Sequence, residues 1–279
     1  MKSFYIVANP EKENAAETER EITAYLQAHG AKVKAQDWRR FTGRCYTEAS
    51  QVPEETECVI TIGGDGTLIQ AARDLAGMGI PFIGVNRGHL GYLTQVSRPE
   101  RLQPMLDALL SDRCWMEPRM MLEGKLVRDG EVIYSDIALN EVVIRRKDSL
   151  KTLHFNLLVN GEYLNHYTAD GMIFATPTGS TAYNLSAGGP IVAPRAKMMV
   201  LTPICSHALN ARSIVLPAED QLTVELPESG SMAAFDGNAA EEVREGDRLL
   251  IGRAAVETIL VQLKRVSFLQ NLSSKMVGV

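Results

Sequence analysis

The sequence holds little that a membrane, an oxidising compartment or a nucleic acid would use. It contains no run of about 18 apolar residues, so no membrane-spanning helix and no membrane partner are expected. Its four cysteines, Cys45, Cys58, Cys114 and Cys205, stand far apart, and none forms a C-x-x-C pair. Neither a zinc site nor a disulfide framework is expected, and a reducing cytoplasm fits. Basic residues are outnumbered 29 to 34, giving a net charge of −5. A broad nucleic-acid footprint needs a basic face to neutralise phosphates, so no nucleic-acid partner is expected. A small anionic substrate stays open, because a few placed cations and backbone amides make a local positive site. Residues 1–9 form a short apolar run without a basic leader, which does not resemble a signal peptide. No repeat or low-complexity linker appears. Both G-x-x-x-x-G-K-[ST] and G-x-G-x-x-G are missing, so a nucleotide would not be held as in a P-loop protein or an ordinary dehydrogenase.

What is present is the balance of a globular protein, 45% hydrophobic and 23% charged over 279 residues. That length suits one large domain or two ordinary ones and can bury a substantial core. The first part alternates strand and helix patterns. Strands are expected at 3–8, 31–38, 57–62 and 81–86. Helices are expected at 15–29, with Ile22, Tyr25 and Leu26 on one face, and at 68–76 and 99–110, the last weakened by Pro104. This alternation predicts an α/β domain with a mostly parallel sheet. Beyond residues 114–120 the pattern changes. Asp129-Gly130 and Asn160-Gly161 separate β-rich runs and favour tight hairpins. Further strands are expected at 153–159, 162–167, 221–226, 248–251 and 257–266, predicting a mainly antiparallel β domain. The expected division is 1–117, 118–262 and a C-terminal segment 263–279 free to pack back on the N-terminal domain.

The expected strand 57–62 runs straight into Gly63-Gly64-Asp65-Gly66-Thr67, and a helix follows. Glycines remove side chains where the backbone turns sharply and where a phosphate could approach. A helix start offers free amides and a favourable dipole. In open α/β sheets, ligands sit beyond the carboxyl ends of the strands, which is where this turn falls. Gly63, Gly64, Gly66 and Thr67 are therefore candidate phosphate-binding residues. Asp65 is the odd member: a carboxylate beside phosphates suits binding a metal, holding a hydroxyl or taking a proton. A plain strand–helix turn with Asp65 or Thr67 as N-cap is the structural alternative.

The Gly-Gly-Asp-Gly-Thr turn resembles a signature shared by NAD kinases, diacylglycerol and sphingosine lipid kinases and, more loosely, phosphofructokinases. Further segments resemble the NAD kinase family in particular. They are Val85-Asn86-Arg87-Gly88-His89-Leu90-Gly91-Tyr92-Leu93, Asn140-Glu141, Asp170-Gly171, the stretch from Thr176 to Pro190, and Pro203-Ile204-Cys205-Ser206-His207. They occur in family order and span most of the chain. Each also has a local reading: a glycine-rich loop, polar residues on a half-exposed strand, a turn cluster, and a structural histidine at His207.

The resemblance implies transfer of the γ-phosphoryl group of ATP to the 2′-hydroxyl of the adenosine ribose of NAD, with Asp65 as proton acceptor. It implies a NAD pocket lined by Asp65, Gly66, Asn140, Glu141, Asp170, Thr178, Thr181, Ala182, Tyr183, Asn184, Leu185 and Ser186. The implied substrate-binding set also includes Lys151, Thr168 and Asn238, the last within Asp236-Gly237-Asn238, three positions that depart from the family pattern. Magnesium or another divalent cation should accompany ATP, with no dedicated protein cage for it. A homo-oligomer, dimer or tetramer, is implied. The basic cluster Arg145, Arg146 and Lys147 reads as a solvated hairpin.

Overall fold

The computed structural model describes residues 1–37, 47–86, 91–96, 99–147, 151–206, 212–264, 268–269 and 272–273. Trp38, Cys45, Arg87 to Leu90, His207, the last residues of the expected strand 257–266 and most of the C-terminal segment lie outside them. The chain divides into two units, Met1–Pro118 with Glu257–Val279, and Arg119–Val256.

In the first unit, β1 (Ser3–Ala8) is buried at every position, as a strand covered on both faces must be. It pairs in parallel with β2 (Lys32–Ala35) and with β3 (Cys58–Ile62), and β3 pairs in parallel with β4 (Phe82–Val85). Helix α1 (Ala15–Ala28) buries Ala15, Thr18, Ile22 and Leu26, a stripe at helical spacing. Gly30, at a φ of 79°, follows its end, a backbone state that glycine adopts without strain. The core gathers Phe4, Ile6, Ile60 and Ile83 from the sheet with Leu26 and Leu106 from the helices. Each such side chain stabilises the unit by roughly 1.5–3 kcal/mol on burial.

Two helices differ from expectation at their starts. Helix α2 (Asp65–Asp74) begins three residues earlier than the apolar pattern suggests, with Gly64 in the cap position and extended. Asp65-Gly66-Thr67 carries no helical stripe, but a first turn needs none and favours an acidic residue. Helix α3 (Leu102–Leu110) accepts Pro104 because it lies in the first turn, where no N–H is called on by the helix.

The second unit is antiparallel. Its strands are β5 (Trp115–Arg128), β6 (Glu131–Ala138), β7 (Glu141–Arg146), β8 (Leu153–Val159), β9 (Glu162–Ala169), β10 (Gly171–Ala175), β11 (Met198–Ile204), β12 (Ile214–Pro217), β13 (Leu222–Glu225), β14 (Ser231–Phe235), β15 (Asn238–Val243) and β16 (Arg248–Gln262). One sheet runs β12-β11-β10-β7-β14-β15. In the other, β16 pairs with β13, β13 with β8 and β8 with β9. Side chains of both sheets share one core, Ile144, Met172, Phe174 and Phe235 from the first meeting Phe155, Leu157, Leu222 and Leu249 from the second. Asp129-Gly130 and Asn160-Gly161 have positive φ at both residues, which suits a tight hairpin following the strand twist. Asp236-Gly237 does the same between β14 and β15, a third hairpin of this kind.

The expected strands 248–251 and 257–266 are one strand, β16, which ends at Gln262, with Leu263 and Lys264 outside it. Gly252 interrupts the apolar run but not the strand. A Cβ there would stand 2.6 Å from the Gln221 side chain, so the glycine admits a neighbour rather than making a turn. Strand β16 begins in the second unit, and its Leu260 pairs with Phe82 of β4 in the first. Among the described residues, no helix is long and apolar enough to cross a membrane.

Candidate active site

At the end of β3 the chain enters α2 through Gly63 and Gly64. A Cβ on Gly63 would stand 2.2 Å from Thr67 Oγ1, so this glycine lets the buried Thr67 pack beneath the turn. Gly64 and Gly66 differ from it. A Cβ on either meets nothing within 4 Å of the chain, so no packing within the protein calls for glycine there.

Asp65 is not the cap of its own helix, and α2 has no side-chain cap. Its carboxylate reaches across to the loop at residues 91–94. Oδ2 accepts from the Tyr92 N–H at 2.5 Å, and Oδ1 accepts from the N–H groups of Leu93 at 3.2 Å and Thr94 at 3.0 Å. The Gly91 N–H donates to Thr94 Oγ1 at 3.0 Å. A Cβ on Gly91 would lie 1.8 Å from Asp65 Oδ1, so the carboxylate occupies the space a side chain would take. A carboxylate has about four acceptor sites. Among the described residues three are used, and the remaining one is on Oδ2. Asp65 is thus held in one orientation with room for one more donor.

In the second unit, the turn between β6 and β7 carries Asn140-Glu141. Asp236 Oδ2 accepts from the Leu139 N–H at 2.7 Å, and Oδ1 accepts from those of Asn140 at 2.8 Å and Glu141 at 3.0 Å. Thr176 holds the opposite side. Its hydroxyl donates to Leu139 O at 2.6 Å and its N–H donates to Asn140 O at 2.8 Å. Gly179 lies so close that a Cβ there would stand 2.1 Å from Asn140 O.

Glu141 is not a half-exposed strand residue; it is 93% buried, with only 7% of its surface accessible. Burial pushes its carboxyl up to about 8, and the charge of Asp236 adds to the shift. Its Oε2 has no hydrogen-bond partner among the described residues. Because the folded chain keeps this proton where the unfolded chain has lost it, the associated stability is full below pH 4.5. It declines as pH rises towards about 8 and then levels. Glu141→Gln keeps the shape without the titration. The melting-temperature gain of this variant over wild type is expected to grow between pH 4.5 and 8 and to stay flat above. Parallel curves across that range would contradict it.

The segment after β10 turns through Gly179 to Thr181 into a short helix, α4 (Tyr183–Ser186). Tyr183, Leu185 and Ser186 are exposed there, whereas Asn184 is fully buried. The Asn184 amide donates to Ser180 O and Pro190 O, both at 3.0 Å, and its Oδ1 accepts from the Thr202 hydroxyl at 2.7 Å. The side chain of Asn184 is therefore committed to the fold. Thr178 is buried, and its hydroxyl accepts from Arg119 Nη1 at 3.2 Å. Thr181 and Ala182 are half-buried beside it, with the Thr181 hydroxyl donating to Thr178 O.

The expected pocket residues fall into separate groups. Glu141 pairs with Ala175 at one end of the β7–β10 ladder, and Arg145 pairs with Gly171 at the other. Four residues of strand separate them, roughly 13 Å. Asp170 belongs to the far end, where Arg146 Nη2 donates to it at 2.8 Å. The Lys151 carbonyl accepts from the same guanidinium. Arg146 is thus ion-paired rather than merely solvated, as is Lys147, which meets Glu242 at 3.1 Å. Thr168 sits on β9 against His154, 3.1 Å from its Nδ1. Asn238 is exposed at the start of β15. Among the described residues, no three His, Cys, Asp or Glu side chains are grouped to hold a metal.

The sequence assigns no role to Asp236 or Gly91, although both lie in segments noted above, and none to Arg119. An Asp-Gly pair between strands signals a hairpin, but no local pattern announces that its carboxylate serves a turn about 95 residues earlier. Gly91 was legible only as part of a glycine-rich loop.

A parallel α/β unit followed by an antiparallel unit is the fold of two solved structures. Yeast NADH kinase, solved with NADH, matches with a TM-score of 0.88 at 24% identity, covering 100% of this chain and 88% of the other. An NAD kinase from Archaeoglobus fulgidus, solved with ATP, matches with a TM-score of 0.78 at 21% identity, covering 100% of both. At those identities the likeness establishes the fold. Sequence settles the family. Residues 4–114 match the ATP-NAD kinase N-terminal domain and residues 139–263 the ATP-NAD kinase C-terminal domain. An NAD kinase of Lachnospira eligens is 44% identical over 99% of this chain and 100% of its own length. The chain belongs to the ATP-NAD kinase family.

Proposed function

We propose that this chain is an ATP-dependent NAD kinase, transferring the γ-phosphoryl group of ATP to the 2′-hydroxyl of the adenosine ribose of NAD to give NADP. The observation that carries the mechanism is the Asp65 carboxylate, held by three amides with one acceptor site to spare. Phosphoryl transfer rests on in-line positioning and charge neutralisation. Asp65 supplies the first by accepting the hydrogen bond of the ribose hydroxyl; it takes the proton as the ribose oxygen bonds to the γ-phosphorus and the bond from that phosphorus to the β,γ-bridging oxygen breaks, releasing ADP. The bare faces of Gly64 and Gly66 and the start of α2 suit the approach of phosphates, with Gly63 and Thr67 shaping the turn beneath them.

In the second unit we assign nucleotide contacts to Asn140, Glu141, Thr178, Thr181, Ala182, Tyr183, Leu185 and Ser186. Asn140 can donate to and accept from a base edge, and the exposed Tyr183 ring can stack on a base or nicotinamide, worth about 1 kcal/mol beyond area burial. Any contact from Asn184 is through its backbone. Asp170, Lys151, Thr168 and Asn238 are assigned polar contacts apart from the Asn140 turn.

Magnesium or another divalent ion enters with the polyphosphate, whose charge it neutralises. Such an ion is held by nucleotide and water and needs no protein cage. Cytoplasmic location and a homo-oligomer, dimer or tetramer, complete the reading. The free thiols of Cys58, Cys114 and Cys205 agree with a reducing compartment.

The test is a donor and acceptor panel on the purified protein. With ATP, magnesium and NAD it is expected to form NADP, and to leave a diacylglycerol in micelles unphosphorylated. Transfer to the lipid but not to NAD would overturn the assignment. So would tight NAD binding without transfer from any donor.

A further inference from the structure

Leu139, Asn140 and Glu141 present six backbone polar groups, and two residues satisfy all of them. Asp236 takes the three N–H groups through its carboxylate, and its own N–H donates to Glu141 O at 3.0 Å. Thr176 supplies donors to the carbonyls of Leu139 and Asn140. The Asn140 side chain makes no hydrogen bond among the described residues, while its backbone is fixed on both sides. Asp236 itself sits at a φ of 47°, in the hairpin it shares with Gly237 at 83°. Aspartate tolerates this left-handed state better than most residues. The hairpin therefore aims the carboxylate, and the carboxylate sets the turn.

We propose that Asp236 is a positioning residue for nucleotide binding, acting through the Leu139–Glu141 backbone to set where the Asn140 and Glu141 side chains stand. A bare β-turn bonded to its neighbour would need one or two amide contacts. Three consecutive N–H groups gathered on one carboxylate define the backbone of all three residues together. Oδ1 serves Asn140 and Glu141, and Oδ2 serves Leu139, so each oxygen has its own task. Asp236 makes no contact with the reacting atoms in this account. The inference rests on the assignment of Asn140 and Glu141 to the nucleotide.

The experiment measures KM for NAD and for ATP separately, together with calorimetric NAD binding without ATP, for Asp236→Ala, Asp236→Asn and Asn140→Ala in the full chain. Asp236→Ala is expected to raise KM and Kd for NAD by about 10- to 100-fold, the scale of a misplaced binding group, with little change in KM for ATP. Asp236→Asn keeps an acceptor for Asn140 and Glu141 but sets its amide against the Leu139 N–H, and is expected to recover part of that loss. If the alanine variant does not fold, the asparagine variant carries the test by the same selective rise in KM for NAD. Folded Asp236 variants with unchanged KM for NAD, or with equal rises for both substrates, would overturn the inference while a raised KM in Asn140→Ala keeps the nucleotide assignment. An unchanged KM for NAD in Asn140→Ala would overturn that assignment and the inference with it.

Discussion

Asp65→Asn and Asp65→Ala are expected to lower the rate of NADP formation by about 10²- to 10⁴-fold, the range for losing a positioned proton acceptor. The structure adds a second loss. The carboxylate also binds the Tyr92, Leu93 and Thr94 amides, so neither change is confined to chemistry. An asparagine can leave its oxygen with Leu93 and Thr94, but its NH₂ then meets the Tyr92 N–H donor to donor. The alanine loses all three contacts, so its melting temperature is expected to fall further than that of the asparagine variant. If the carboxylate acts on the hydroxyl, the two variants are almost equally inactive although unequally stable. Activity that follows melting temperature across the pair would make Asp65 an anchor only. Robust turnover by a folded Asp65→Asn would end the proton-acceptor role.

Gly91→Ala is expected to be nearly as damaging. The added carbon would stand 1.8 Å from Asp65 Oδ1 and 2.4 Å from its Cγ, distances no side-chain adjustment of a tenth of an ångström relieves. The carboxylate must swing away, breaking its amide contacts and leaving the position from which it is proposed to act. A fall of about 10²-fold in kcat is expected, the cost of misplacing a reacting group by about 1 Å. Gly64→Ala and Gly66→Ala are the controls. Their added carbons meet nothing in the chain, so stability should stay within about 0.5 kcal/mol of wild type. An activity loss there without a stability loss reports a phosphate lying against those positions. Gly91→Ala with wild-type kcat would show that Asp65 need not stand where the structure holds it.

The division into a parallel α/β part and an antiparallel part was legible because both carry strong local signals. The buried run 58–62 reads as a strand by itself, and Asn160-Gly161 announces its own hairpin. The start of α2 was hidden because Asp65-Gly66-Thr67 has no apolar stripe. Strand β16 was hidden because Gly252 imitates a break, while its reason for being glycine is the Gln221 side chain, 31 positions away. The site followed the same rule. Asp65 stood out from the glycines beside it, and Asn140 only from the resemblance of Asn140-Glu141 to the family's Asn-Glu pair. Which side chains the fold consumes was not visible. Asn184 looks like any polar residue in a turn, and only its bonds to Ser180, Pro190 and Thr202 show it to be spent. Asp170 and Asn140 were expected in one pocket, and no local pattern showed that the β7–β10 register sets them at opposite ends of the ladder.

The most direct test of the central claim compares NAD with its analogue lacking the 2′-hydroxyl on the adenosine ribose, with ATP and magnesium, and locates any transferred phosphate by phosphorus NMR and mass spectrometry. The account predicts one phosphate on the 2′-oxygen of NAD and none on the analogue. Phosphorylation of the analogue at a comparable rate, or transfer to any other oxygen of NAD, would contradict it.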